Sequence, residues 1–133
     1  MSETKAIPEL IEFEADPVRA LDLTLYAVAS GDHNPLHLDE QVARAAGFDK
    51  PLVHGMLSMA YAARLFTNRF GPGAVRSISS RFVGVAKRGD RLRFSARLLG
   101  RESATARYEV SAHTQDGGEV LVGMAEVALP ASS

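Results

Sequence analysis

The segment from His54 to about Arg69, within HGMLSMAYAARLFTNRF, constrains the fold most, because it reads as a long helix with almost no polar face over its first two turns. After His54 the first charged residue is Arg64, and Gly71-Pro72-Gly73 marks the end. A helix that is apolar nearly all round has to be wrapped by the rest of the chain. Met56, Met59, Ala60 and Ala63 recur at helical spacing and are expected to be a core stripe.

The C-terminal half supplies the wrapping. Val75 to Ala86 is β-like around Ile78, Phe82, Val83 and Val85. Asp90 to Leu99 sets Leu92, Phe94, Ala96 and Leu98 against Arg91, Arg93, Ser95 and Arg97, a period of two. Thr105 to His113 repeats that alternation, and Asp116-Gly117-Gly118 turns into a last strand over Glu119 to Leu129. Ahead of the long helix, Ile11 and Phe13 alternate with Glu12 and Glu14 in a short strand between Pro8 and Ala15. Asp22 is expected to cap a two-turn helix that Gly31 stops, and Asp39 to cap another that ends at Gly47. The sum is a single α+β domain over 1–133, an antiparallel curled sheet around a long central helix, with 1–7 and 130–133 expected to be flexible.

Composition narrows the function classes. Hydrophobic residues make up 46% and charged residues 23%, and no apolar run approaches the ~20 residues of a membrane helix. A net charge of -1 gives no field that would draw nucleic acid or an anionic membrane. The chain has no cysteine, which removes disulfides and thiolate chemistry and suits a reducing compartment. The polar N-terminus lacks the apolar centre of a secretory signal, so the cytoplasm is the expected location.

Chemistry concentrates in Tyr26 to His37, YAVASGDHNPLH. Ser30, Asp32, His33, Asn34 and His37 put a hydroxyl, a carboxylate, an amide and two imidazoles into one loop punctuated by Gly31 and Pro35. This loop, followed by His54-Gly55-Met56 at the head of the long helix, resembles the MaoC-like, R-specific enoyl-CoA hydratases. The resemblance implies a hot-dog fold and reversible addition of water to 2-enoyl thioesters, giving R-3-hydroxyacyl thioesters. It assigns Asp32 and His37 as the catalytic dyad and implies a dimer, homodimeric or with another hot-dog chain. It requires no metal or other cofactor beyond the coenzyme A or acyl carrier protein that bears the substrate.

The chemistry suits those residues. Hydration needs a base for water, an acid for the α-carbon and donors for the enolate-like oxygen. A loop kinked at Pro35 can turn Asp32 and His37 toward one water. The main-chain N–H of Gly55, at a helix start, is a free donor reinforced by the helix dipole. Asn34 can bind the water or pin the loop, and Ser58, one turn into the helix, can face the substrate or bond a preceding carbonyl. Arg81, Lys87 and Arg88, around a strand end, are candidates for the phosphates of coenzyme A, although basic residues at strand ends are ordinary.

Each residue also has a plainer role. An Asp before Asn-Pro is commonly a turn residue, and a lone His beside apolar residues is commonly a packed imidazole. His33 is expected to point away from the dyad, His54 to close the helix start, and His113 to be solvated. Two other functions compete: a partner subunit that only completes an acyl tunnel, which the intact dyad disfavours, and a hot-dog thioesterase. The thioesterase usually carries its carboxylate on the central helix, where this chain has no Asp or Glu between His54 and Arg69. No phosphate loop, metal cluster or nucleic-acid platform is legible.

Overall fold

The computed structural model describes residues 7–129. Five strands and three α-helices follow in the order β1 (Leu10–Glu14), α1 (Ala20–Ser30), a 3-10 turn (Pro35–His37), α2 (Glu40–Ala45), α3 (Gly55–Phe70), β2 (Val75–Phe82), β3 (Arg93–Arg101), β4 (Thr105–His113) and β5 (Glu119–Ala128). The strands form one sheet in the order β1-β3-β4-β5-β2, with every pairing antiparallel. This curled sheet carrying α3 on its inner face is the hot-dog architecture.

The period-two patterns set which face is buried. Phe13, Phe94, Ala112, Leu121 and Phe82 lie side by side across all five strands, and Ile11, Ala96, Val110, Gly123 and Ser80 form the next row. Against these rows α3 packs Leu57, Ser58, Ala62, Leu65 and Phe66. Phe66 lies 5.4 Å from the ring of Tyr108, and Tyr61 meets Phe94 edge-on at 6.5 Å. The guanidinium of Arg64 covers the Phe13 ring at 4.8 Å, so the first charge of the helix lands on an aromatic face at the sheet edge.

Four details differ from the sequence expectations. The stripe Met56, Met59, Ala60 and Ala63 is not the core stripe: Met56 is 55% exposed, Ala60 is exposed and the other two are half-buried. A helix apolar on both sides leaves its orientation to the sheet, and here the Leu57–Phe66 side won. In α1 the N-cap is Arg19, and Asp22 sits at the third helical position, where its carboxylate accepts the Arg19 N–H at 2.9 Å. Capping by a backward-reaching acid is the second half of a capping box, so the same residue marks a start one turn earlier.

The β-like run ending at Ala86 stops as a strand at Phe82, although Val83 N–H still donates to Val120 O at 2.9 Å, and residues 86 to 88 pair instead with the segment entering α3. Val53 N–H donates to Ala86 O at 2.8 Å and Arg88 N–H to Pro51 O at 2.8 Å. The run from Asp90 becomes strand only at Arg93, since the Asp90 carboxylate closes a turn by accepting the Lys87 N–H at 2.8 Å. The expectation of flexible ends falls, except for Ile7, outside the described residues, and Ile7 packs against the core. No described helix is long and apolar enough to cross a membrane.

Gly123 is the tightest point of the sheet. A Cβ there would run into the carbonyl oxygen of Ser79 and the Cα of Ser80, both main chain of the neighbouring edge strand. Gly123→Ala should therefore cost about 1–3 kcal/mol through forced separation of β2 from β5, read as a lower urea midpoint and faster amide exchange along Val75–Phe82; an unchanged midpoint would show that β2 shifts freely.

Candidate functional site

Helix α1 ends at Gly31, whose φ of 80° is the left-handed cap conformation and whose N–H donates to Ala27 O. Ser30 bridges the helix to the loop: its hydroxyl donates to Tyr26 O at 2.7 Å and accepts the Asp32 N–H at 3.1 Å. Asp32 Oδ1 in turn accepts the Asn34 N–H at 3.2 Å, and Asn34 Oδ1 caps the 3-10 turn by accepting the Leu36 N–H at 3.0 Å. The amide oxygen of Asn34 thereby shapes the loop. One carboxylate oxygen of Asp32 is held by the turn, and Oδ2 is left to face His37.

His37 is fixed from the other side. Its Nδ1 lies 2.9 Å from Leu52 O, and a carbonyl can only accept, so the neutral ring carries its proton on Nδ1 and a lone pair on Nε2. That Nε2 stands 3.7 Å from Asp32 Oδ2. Two acceptors therefore face one another across a gap that a single water, 2.8 Å or so from each, can bridge by donating both of its protons. The Asp32 side chain is 50% exposed and that of His37 15%, so the pair sits at the mouth of the loop with its carboxylate toward solvent.

Beneath the pair lies His54, a residue that sequence reasoning placed only at the helix start. It is the N-cap of α3 but makes no side-chain capping bond. It is 1% exposed, its ring stacks on His37 at 3.8 Å with 20° between planes, and Tyr26 leans on it at 4.8 Å. Its Nε2 lies 3.2 Å from the main-chain oxygen of Asp32, which assigns the proton to that nitrogen, while Nδ1 has no partner among the described residues. Burial, reinforced by the neighbouring His37, pushes its pKa below that of a free histidine, against the opposing effect of the Asp32 carbonyl. The signal in sequence was the His itself, set in the apolar stretch Pro51-Leu52-Val53.

Gly55 is the first residue of α3, where N–H groups lack an intrahelical partner. The Phe82 ring lies only 3.2 Å from where a Cβ on Gly55 would stand, so a side chain there would press on the end of β2. Ser58 is buried one turn further on. Two of the three basic candidates are ion-paired. Lys87 Nζ pairs with Asp49 at 2.6 Å and Arg88 with Glu40 at 3.7 Å. Arg81 is exposed beside Ser79 on the sheet face opposite Phe82, away from α3. His33 is exposed, with Nδ1 3.2 Å from Gly31 O, and His113 lies 3.5 Å from Glu119.

Asp32, His37 and His54 bring one ligand-type atom each within 4.8 Å of one another, the spacing of a metal site. The hydrogen bond to Asp32 O puts a proton on His54 Nε2, and two near-parallel stacked rings do not aim their lone pairs at a common ion.

A curled antiparallel sheet around a long helix, with an Asp and a His facing one gap beside the helix start, defines a hot-dog domain. Residues 4–118 match the MaoC like domain family, and the chain belongs to it. It is 33% identical over 113 residues to enoyl-CoA hydratase ChsH3 of Mycobacterium tuberculosis, covering 83% of this chain and 38% of that protein. It is 37% identical over 84 residues to the peroxisomal enoyl-CoA hydratase 2 of Arabidopsis thaliana, covering 61% of this chain and 26% of that one. The chain thus spans well under half the length of these relatives. Among solved structures it resembles the R-hydratase PhaJ1 of Pseudomonas aeruginosa, with a TM-score of 0.86, 30% identity and coverage of 95% of this chain and 83% of the other. It also resembles the (R)-hydratase of A. caviae, with a TM-score of 0.83, 27% identity and coverage of 97% and 100%.

The depressed pKa of His54 has a stability consequence. The unfolded chain takes up a proton at this residue below about pH 6.5, while the folded protein resists it, so stability is complete above that pH and falls as pH drops through the folded-state value. Denaturant midpoints measured from pH 7.5 downward should fall more steeply for the native protein than for His54→Phe, and parallel curves would remove His54 as the cause.

Proposed function

We propose that the protein adds water reversibly to trans-2-enoyl thioesters, giving (R)-3-hydroxyacyl thioesters. The observation that carries this is the pair of acceptors, Asp32 Oδ2 and His37 Nε2, 3.7 Å apart beside the start of α3. A water held by both loses one proton to the pair as its oxygen bonds to the β-carbon. The electrons of the double bond shift toward the thioester oxygen, which the Gly55 N–H receives at the positive end of the helix. The pair then returns a proton to the α-carbon, so the elements of one water are added and the dyad is restored. Both deliveries come from one side of the substrate, hence syn addition. Dehydration is the same path reversed.

In this reading no metal or further cofactor takes part, coenzyme A or acyl carrier protein bears the acyl group, and the location is the cytoplasm, as a cysteine-free composition suits. The protein acts as a homodimer. Among the described residues, strand β2 is a sheet edge with one row of main-chain groups unpaired, and Met56 and Ala60 leave an apolar side of α3 uncovered beside it.

Purified protein mixed with a short 2-enoyl-CoA should remove the conjugated-thioester absorbance without releasing thiol; thiol release would make it a thioesterase, and activity only after adding a second hot-dog chain would make it a partner subunit. Asp32→Asn and His37→Ala should each lower turnover by at least roughly a hundredfold with the fold intact. A wild-type rate in either would remove the dyad. Sedimentation should give about twice the 14.3 kDa of one chain.

A further inference from the structure

Asp32 and His37 are held on separate pieces of main chain, one at the end of α1 and one in the 3-10 turn, and their own hydrogen bonds lead to different places. The Asp32 carboxylate is tied to Asn34 and the His37 ring to Leu52. His54 is the side chain that touches both. Its Nε2–H points at the Asp32 carbonyl oxygen at 3.2 Å, and its face lies flat on His37 at 3.8 Å. Tyr26, one turn before Ser30 on α1, leans on the ring and confines it. Its Nδ1 is buried with no partner among the described residues. Packing alone does not call for an imidazole at this place, since a ring of carbon would fill it without a buried unpaired nitrogen and would give up only the hydrogen bond to Asp32.

We propose that His54 is a positioning residue for the dyad: one face of its ring fixes the plane of His37 while its Nε2–H fixes the main chain of Asp32, so that a single buried side chain sets the gap in which water is held. The kinetic part of this inference rests on the hydratase reading above. The geometric part does not.

Two variants separate the two attachments. His54→Phe keeps a stacking ring and loses the hydrogen bond; His54→Gln keeps an amide donor at about the reach of Nε2 and loses the stack. With a 2-enoyl-CoA, each should lower kcat by roughly tenfold to a hundredfold with KM changed by less than about threefold. In an Asp32→Asn background, His54→Phe should lower kcat by less than about threefold further, because a group that acts through the dyad has little left to act on. The order parameter of the His37 Cε1–H bond, measured by NMR without substrate, should fall in His54→Gln and hold in His54→Phe.

A wild-type kcat in either folded variant, or a full independent loss in the Asp32→Asn background, would overturn the positioning role. An unchanged His37 order parameter in His54→Gln would overturn it whether or not the protein hydrates thioesters. A native protein with no hydratase activity but with the predicted loss of His37 order would sink the proposed reaction and leave the positioning role standing. Variants that only melt earlier, with an unchanged rate per folded molecule, would assign His54 to core packing and also overturn it.

Discussion

Three main-chain hydrogen bonds around residues 51 to 53 hold the site together. Leu52 N–H reaches Leu36 O at 2.9 Å, Val53 N–H reaches Ala86 O and Arg88 N–H reaches Pro51 O. They join the loop after α1, the entry to α3 and the chain leaving β2, three segments distant in sequence. Leu52 then offers its carbonyl to His37. An extended segment bonded on both sides has little freedom, so the acceptor that fixes the His37 tautomer is itself fixed. The site is thus assembled from main chain first and side chains second.

The elements legible in the sequence were those whose pattern decides a local question. Alternation in Thr105–His113 gave a strand with those same ends, and Asp39 caps α2 as expected, accepting from Gln41 and Val42. The loop was legible because a carboxylate, an amide and imidazoles crowded into a short stretch stopped by Gly31 and Pro35 belong to neither a helix nor a strand; the choice of Asp32 and His37 within it came from the resemblance, and the fold sets those two 3.7 Å apart. What failed to show were choices settled by distant contacts. Whether Met56 or Leu57 faced the sheet depended on a sheet that forms later in the chain. Val85 has strand propensity, yet its segment leaves the sheet, and Ala86 and Arg88 bind residues 51 to 53. His54 is the N-cap of α3, as the sequence suggested, but only the fold brings Tyr26, Asp32 and His37 around it.

The basic residues show the same limit from another direction. Lys87 and Arg88 look available in sequence, but folding sets acids beside them, Asp49 from the stretch before Pro51 and Glu40 from α2. Their charge helps tie α2 and its following loop to the entry of α3. An anion approaching there would have to compete with those carboxylates.

The stack of His37 on His54 bears on where reorganisation occurs. Rotation of His37 is restricted by a ring face, a carbonyl and a neighbouring loop, all in place before any substrate arrives. The loss of rotamer freedom is thus incurred once, as the core closes, rather than at every turnover. Under the proposed chemistry the water is the mobile component, and the protein around it behaves as a rigid template whose dipoles already point where charge will appear.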